Sequence, residues 1–113
     1  MATETLKVLG QVSGTSAAST YTVVYACPTA TTAVLSTVAI CNLSASAQTY
    51  RLAISTASAA PAVSEFLVYG ATVPANDSVF LTLGATMTAT VKYLNASSSA
   101  STVSFSAFGV EVA

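Results

Sequence analysis

Three basic side chains, Lys7, Arg51 and Lys92, and four acidic ones, Glu4, Glu65, Asp77 and Glu111, supply all the side-chain charge of this 113-residue chain, and histidine is absent. Without histidine the usual general base and the commonest metal ligand are missing. Ser-His-Asp and Cys-His systems and histidine-based zinc sites therefore cannot be assembled within the chain. A glycosidase-type carboxylate pair is the remaining acid–base option, yet the four acids fall on four separate segments with no shared local motif. Serine–lysine catalysis needs a lysine poised beside a serine. Neither Lys7 nor Lys92 lies in an S-x-x-K pattern, and both read as solvated or interface lysines. Arg51 reads either as an outward solubilising charge or as the partner of an acid across a subunit contact.

Cys27 and Cys41 would be bridged only if their Cα atoms came within about 7 Å. On one hairpin turning at residues 28–32, Cys27 sits by the turn and Cys41 at the far end, too distant at about 3.3 Å per residue. Both are expected to be small buried hydrophobes that stay reduced, although a non-hairpin connection would leave a bridge open. Asn42, Asn76 and Asn95 each begin an N-x-[ST] triplet, which a chain rich in Ser and Thr produces by chance; all three are expected at strand ends and turns. Thr86, Thr88 and Thr90 alternate on one predicted strand, a hydroxyl row able to face sugar, ice or a neighbouring subunit, or simply a β-favouring outer face. Tyr21, Tyr25, Tyr50, Tyr69 and Tyr93 are the side chains that could stack on a sugar, with tryptophan absent. The expectation is of no enzyme, with no catalytic, cofactor-binding or metal-binding residues and no cofactor.

The elements that must carry these residues have a period of two, written in Val, Thr, Tyr, Phe and Ile. Strands are predicted at 5–11, 20–27, 33–43, 50–54, 65–72, 78–83, 87–94 and 103–112. In the fourth, Tyr50, Leu52 and Ile54 share one face; in the seventh, Met87, Ala89, Val91 and Tyr93 oppose Thr88, Thr90 and Lys92. The last strand changes phase, from Val103 and Phe105 to Phe108, Val110 and Val112, so a β-bulge is expected within 106–109 to restore one inward face. Pro74-Ala75-Asn76-Asp77 is a turn with a mechanism: proline presets φ, and Asn and Asp bond back to the backbone. Gly84 is read as the next bend, and the Ser/Ala runs 13–19, 55–62 and 95–101 as loops. The fold class expected is all-β: one antiparallel β-sandwich or jelly-roll-like domain of about eight strands over 1–113, with residues 1–5 as a flexible N-terminal arm.

Charged residues make up 6% of the chain, against the roughly 25–35% of a freely dispersed domain's surface. Much of the outside is therefore expected to be covered by other subunits, in a homo-oligomer. The mean hydropathy of +0.71 comes from Ala and Val scattered among Thr and Ser, with no run of about 18 apolar residues to span a membrane as a helix. The start, Met1-Ala2-Thr3-Glu4, has no basic region leading into an apolar stretch, so synthesis in a cytoplasm is expected. A net charge of -1 offers no basic footprint for nucleic acid or anionic lipid.

Leu6-Lys7-Val8-Leu9-Gly10-Gln11, Leu35-Ser36-Thr37-Val38-Ala39-Ile40-Cys41-Asn42, Tyr50-Arg51-Leu52-Ala53-Ile54, Pro74-Ala75-Asn76-Asp77-Ser78, Leu81-Thr82-Leu83-Gly84 and Phe105-Ser106-Ala107-Phe108-Gly109-Val110-Glu111 together resemble small structural proteins of tailed bacteriophages, notably phages of cyanobacteria and other aquatic bacteria. The resemblance runs over nearly the whole chain and holds no catalytic motif. It departs at Ala85-Thr86-Met87-Thr88, where the pattern has a Gly-Asp turn. It implies a virion protein, foremost a capsid decoration or cement protein on the capsid surface. Its implied partners are itself, as a trimer, and the major capsid protein or another virion protein. A tail, neck or baseplate component, or a receptor- or carbohydrate-binding module, is the alternative.

Overall fold

The computed structural model describes residues 4–58 and 61–113. Eight strands follow one another along the chain: β1 (Glu4–Ser13), β2 (Thr22–Ala26), β3 (Thr32–Asn42), β4 (Gln48–Ser55), β5 (Phe66–Val73), β6 (Ser78–Met87), β7 (Tyr93–Ser98) and β8 (Val103–Val112). One short 3₁₀ turn, Val63–Glu65, precedes β5. The first strand pairs with the last, the second with the seventh, the third with the sixth and the fourth with the fifth, always antiparallel. Pairing of β3 with β8 and of β4 with β7 then joins these ribbons into two four-stranded sheets, β1-β8-β3-β6 (sheet A) and β2-β7-β4-β5 (sheet B). This order is that of a jelly roll, in which a long folded ribbon wraps so that its two halves face each other. The expected all-β sandwich is therefore what the chain forms.

Alternate residues of both sheets meet in the middle. Leu35, Val38 and Ile40 of β3, Leu52 of β4, Leu94 of β7 and Phe105 of β8 are fully buried there. The Phe105 ring meets Tyr50 of the opposite sheet edge-on, at 6.3 Å between centroids. At Gly10 the two sheets come so close that an added Cβ would strike the backbone oxygen of Val24 in β2. Only glycine lets β1 cross β2 there.

Several expectations are corrected. Met87 ends β6, residues 88–91 form a turn in which the Thr88 hydroxyl accepts from the Thr90 and Val91 amides, and the seventh strand is Tyr93–Ser98, which begins at the end of the predicted 87–94 strand and continues through 95–98, read as a loop. The threonine row thus does not exist as a strand face. Gly84 is no bend: β6 runs through it, and the register against β3 slips there, with Leu35 opposite Ala85 but Thr37 opposite Thr82. In β8 no bulge occurs. Val103, Phe105, Ala107 and Gly109 keep one phase inward, and the slips lie on its neighbours, between Val8 and Gly10 of β1 and between Leu35 and Thr37 of β3. Phe108, Val110 and Val112 consequently face outward. Glu65 closes the 3₁₀ turn instead of opening β5, its carboxylate accepting from the Ala62 and Thr56 amides. Of the predicted arm, Glu4 and Thr5 are paired with Val112 and Glu111 in sheet A; residues 1–3 lie outside the described residues. Finally, β2 and β3 belong to different sheets, so the hairpin assumed between Cys27 and Cys41 is not formed.

Candidate functional site

The cysteines are both free: Cys27 is fully buried, and Cys41 is half-buried on the outer side of sheet A, between Ser78 and Ser104. Asn42 and Asn95 are buried. The Asn42 amide donates to the Ser46, Val73 and Pro74 carbonyls, and that of Asn95 to the Ser55 hydroxyl and the Ala57 carbonyl. Neither can accept a glycan. Asn76 occupies the expected turn at φ 54°. The four acids are not brought together as a catalytic pair. Glu4 stands on the outer side of β1, Glu65 caps the 3₁₀ turn, and the Asp77 carboxylate accepts from the Ser78 amide. Glu111 of β8 accepts from the Tyr25 hydroxyl of β2 and from Lys7 Nζ at 3.1 Å, which ties sheet A to sheet B. The tyrosine bond first and the lysine second hold the Glu111 carboxyl below the usual carboxylate range. Burial first and the Glu111 bond second push the Tyr25 phenol upward.

Two surfaces stand out on this scaffold. The first is the outer side of sheet A. Register places Leu6, Val110, Val34 and Thr86 in one row across all four strands, and Val8, Phe108, Thr37 and Thr82 in the next. Phe80 lies beyond them, opposite Ala39. Leu6 is 83% exposed and Phe80 68%, high values for large apolar side chains on a regular sheet. The rows hold no charge; Glu4, at the margin opposite Val112, is the one charged residue of this side. Backbone register alone produces the patch: each bulge restores the inward phase of β1 and β3 while β8 runs straight between them.

The second is a cleft at the β5 edge of sheet B. Tyr21, Pro61, Val63, Phe66 and Tyr69 line a cavity of about 390 Å³. The Phe66 and Tyr69 rings stand perpendicular with centroids 4.9 Å apart, and Tyr21 meets Phe66 at 6.0 Å and 51°. Behind them Arg51 of β4 lies opposite Tyr69 in the ladder, its guanidinium carbon 4.1 Å from the Tyr69 ring centre, and its Nη1 donates to the Tyr21 hydroxyl at 2.9 Å. That hydrogen bond raises the Arg51 pKa further. Among the described residues Arg51 has no carboxylate partner within the chain; it organises two tyrosines. Of the five tyrosines only Tyr21 and Tyr69 meet at one place. Tyr50 is buried in the core, Tyr25 is engaged by Glu111, and Tyr93 lies beside Lys92. Phe66, the third ring, is not among the residues the sequence singles out, although it stands three positions before Tyr69 on the same predicted strand.

No protein-family model matches the sequence, and no curated protein matches it. Among solved structures, the chain is similar in fold to a chain of the T13 viral particle of IBDV, with a TM-score of 0.52 and 7% identity over 99% of this chain and 30% of that one. A chain in a structure of the infectious bursal disease virus Gx strain superposes with a TM-score of 0.48 and 8% identity, over 99% of this chain and 31% of that one. This chain thus spans less than a third of either, and the likeness is one of fold.

Proposed function

We propose that this chain is a virion structural protein, and more specifically a decoration or cement protein of a bacteriophage capsid, binding copies of itself as a trimer and the capsid shell. The observation that carries the reading is the pair of charge-free, largely apolar rows on the outer side of sheet A. Rows of in-register apolar residues on a solvent side are what an interface presents before it is covered. The jelly-roll likeness to a chain of a viral particle supports virion membership at the level of architecture. The bacteriophage part rests on the strand and turn phrases of the sequence. The chain works by burial and not by catalysis, without cofactor or nucleic acid; it is made in the host cytoplasm and ends on the capsid surface.

Magnitudes fit a cement. Full burial of a large apolar side chain stabilises by about 1.5–3 kcal/mol. Leu6, Val8, Val34, Phe80, Phe108 and Val110 together therefore contribute at most about 9–18 kcal/mol on the same scale. Association itself costs about 4–15 kcal/mol, so a single contact is marginal. Many contacts around a closed shell bind by avidity. A tail, neck or baseplate position would use the same side of the sheet.

Gold-labelled antibody against the chain, viewed on assembled particles, is expected to decorate the head; label confined to the tail would move the protein to the alternative location. In solution, Val110→Asp puts an unpaired charge at the centre of the patch. Sedimentation equilibrium should show the wild type as a trimer and the variant as a monomer, with superimposable far-UV circular dichroism spectra for the folded proteins and a melt whose dependence on protein concentration is lost in the variant. A wild type that stays monomeric at about 50 μM, a concentration that would reveal a moderate interface, overturns the self-assembly part.

A further inference from the structure

The aromatic cleft lies on the opposite sheet from the proposed assembly surface and has no part in it. We propose that it is a carbohydrate site that takes a neutral pyranose ring, with the sugar's C–H face against Tyr69 and Phe66 and a ring hydroxyl on Tyr21.

Four features select this ligand. The cavity volume of about 390 Å³ falls within the roughly 300–1,000 Å³ of small-molecule sites. Perpendicular aromatic walls, closed by Pro61 and Val63, offer apolar planes to a ring that is itself apolar on its faces and polar around its edge. The polar contact is prepared: the Tyr21 hydroxyl accepts from Arg51 and so keeps its own proton free to donate, and the guanidinium polarises it. The charge decides between classes. Arg51 stacks on Tyr69 and repels any cation that would otherwise suit an aromatic cage.

The backbone shows that the platform is built. In β5, Tyr69 pairs with Arg51 and Ala71 with Tyr50, leaving Gly70 as an extra residue at φ 78°. That is a bulge with glycine in the left-handed region. It sets Tyr69 over Arg51 while returning Ala71 and Val73 to the inner side. Nothing in the packing of the core requires an exposed tyrosine there; Tyr69 is 64% exposed.

Saturation-transfer difference NMR on the assembled wild-type protein, with the methyl pyranosides of glucose, galactose, mannose and N-acetylglucosamine at about 10 mM to reveal weak binding, tests the site. At least one should receive saturation at its ring C–H protons. Tyr69→Ala, at an exposed position, should weaken that sugar about tenfold, and Tyr21→Phe, which keeps the ring and deletes the hydroxyl, severalfold. Both variants should melt as the wild type and keep its sedimentation state. No transfer to any of the four sugars overturns the site. So does transfer that survives Tyr69→Ala undiminished, or binding of a decaproline peptide in place of the sugars, which would make the cleft a peptide groove. None of these outcomes bears on the sheet A surface, whose test is the Val110→Asp sedimentation experiment.

Discussion

Asn95 and Ser97, on the outer side of sheet B, are fully buried, whereas Leu6 and Phe80, on the outer side of sheet A, stand open. The cause is a roof. The Ser97 hydroxyl donates to the Ala18 carbonyl, Thr15 and Ser98 exchange four hydrogen bonds, and Asn95 reaches Ser55 and Ala57. Loop 14–21 and residues 55–58 thereby cover β7 with polar contacts made by the chain itself. Among the described residues sheet A has no such loop, and its outward positions carry Leu6, Val8, Val34, Phe80, Phe108 and Val110 beside threonines and serines. A small domain can leave polar side chains uncovered at little cost, so the inverse arrangement, polar and self-covered over β7, apolar and bare along the rows of sheet A, fits the proposal that those rows are completed by another molecule.

The largest effect should come from what the two sides share. Phe105 is fully buried between the sheets, against Tyr50, so Phe105→Ala should cost about 3–5 kcal/mol through the cavity it leaves. That is a large share of the roughly 5–15 kcal/mol that holds a small domain together. Urea unfolding should show it, with assembly and any ligand binding lost together. Loss of one with the fold intact would mean that Phe105 does not hold the two sheets together.

A middle-sized effect should separate the two sides. Asn95→Ala removes both donors to Ser55 and Ala57 under the roof and should destabilise by about 1–3 kcal/mol, the cost of leaving buried groups unpaired. Phe80→Ser on the bare side should stay within about 0.5 kcal/mol, as surface changes do. Equal losses in thermal melts of the monomeric Val110→Asp background would erase the distinction between a covered and an uncovered side.

The same difference explains what the sequence could and could not reveal. Strands such as β4, polar on one side and apolar on the other, are legible by alternation, and the 74–77 turn by its Pro and Asn. Strand β7 is legible in the sequence only as far as residue 94 because 94–98 is buried on both sides, in the core and under the roof, so alternation vanishes and its serines and asparagine look like a loop. The apparent change of phase in β8 has the opposite origin. Phe108, Val110 and Val112 are apolar although they face outward, and a rule that sends every apolar residue inward has to invent a bulge to absorb them. The misreading therefore marks the interface candidate. Of the cleft, Tyr21 and Tyr69 were legible as candidate rings, but their meeting across Arg51 depends on β4–β5 register and the Gly70 bulge, which no local pattern encodes.

The smallest effect lies at the seam where the two sheets are tied. Glu111 accepts from Tyr25 across the sandwich and from Lys7 beside it, and its folded pKa is depressed below the ordinary 4.5. A depressed carboxylate contributes stability that is present above the unfolded pKa and disappears as pH falls through the folded one. Stability should therefore decline below about pH 4.5 as this contribution is lost. Glu111→Gln keeps the shape and an acceptor for Tyr25 but removes the charge. It should lower stability at pH 7 by on the order of 1 kcal/mol, with the Lys7 pair contributing little because that lysine is largely solvated. The difference between variant and wild type should shrink progressively as pH falls below the ordinary carboxylate value, because protonation neutralises Glu111 first in the unfolded and then, at lower pH, in the folded wild type. Urea midpoints at several pH values between about 3 and 7, spanning that value, would show the convergence. A gap that stays constant over this range would mean that the seam holds by packing of Tyr25 alone, and that the two sheets meet there without electrostatic help.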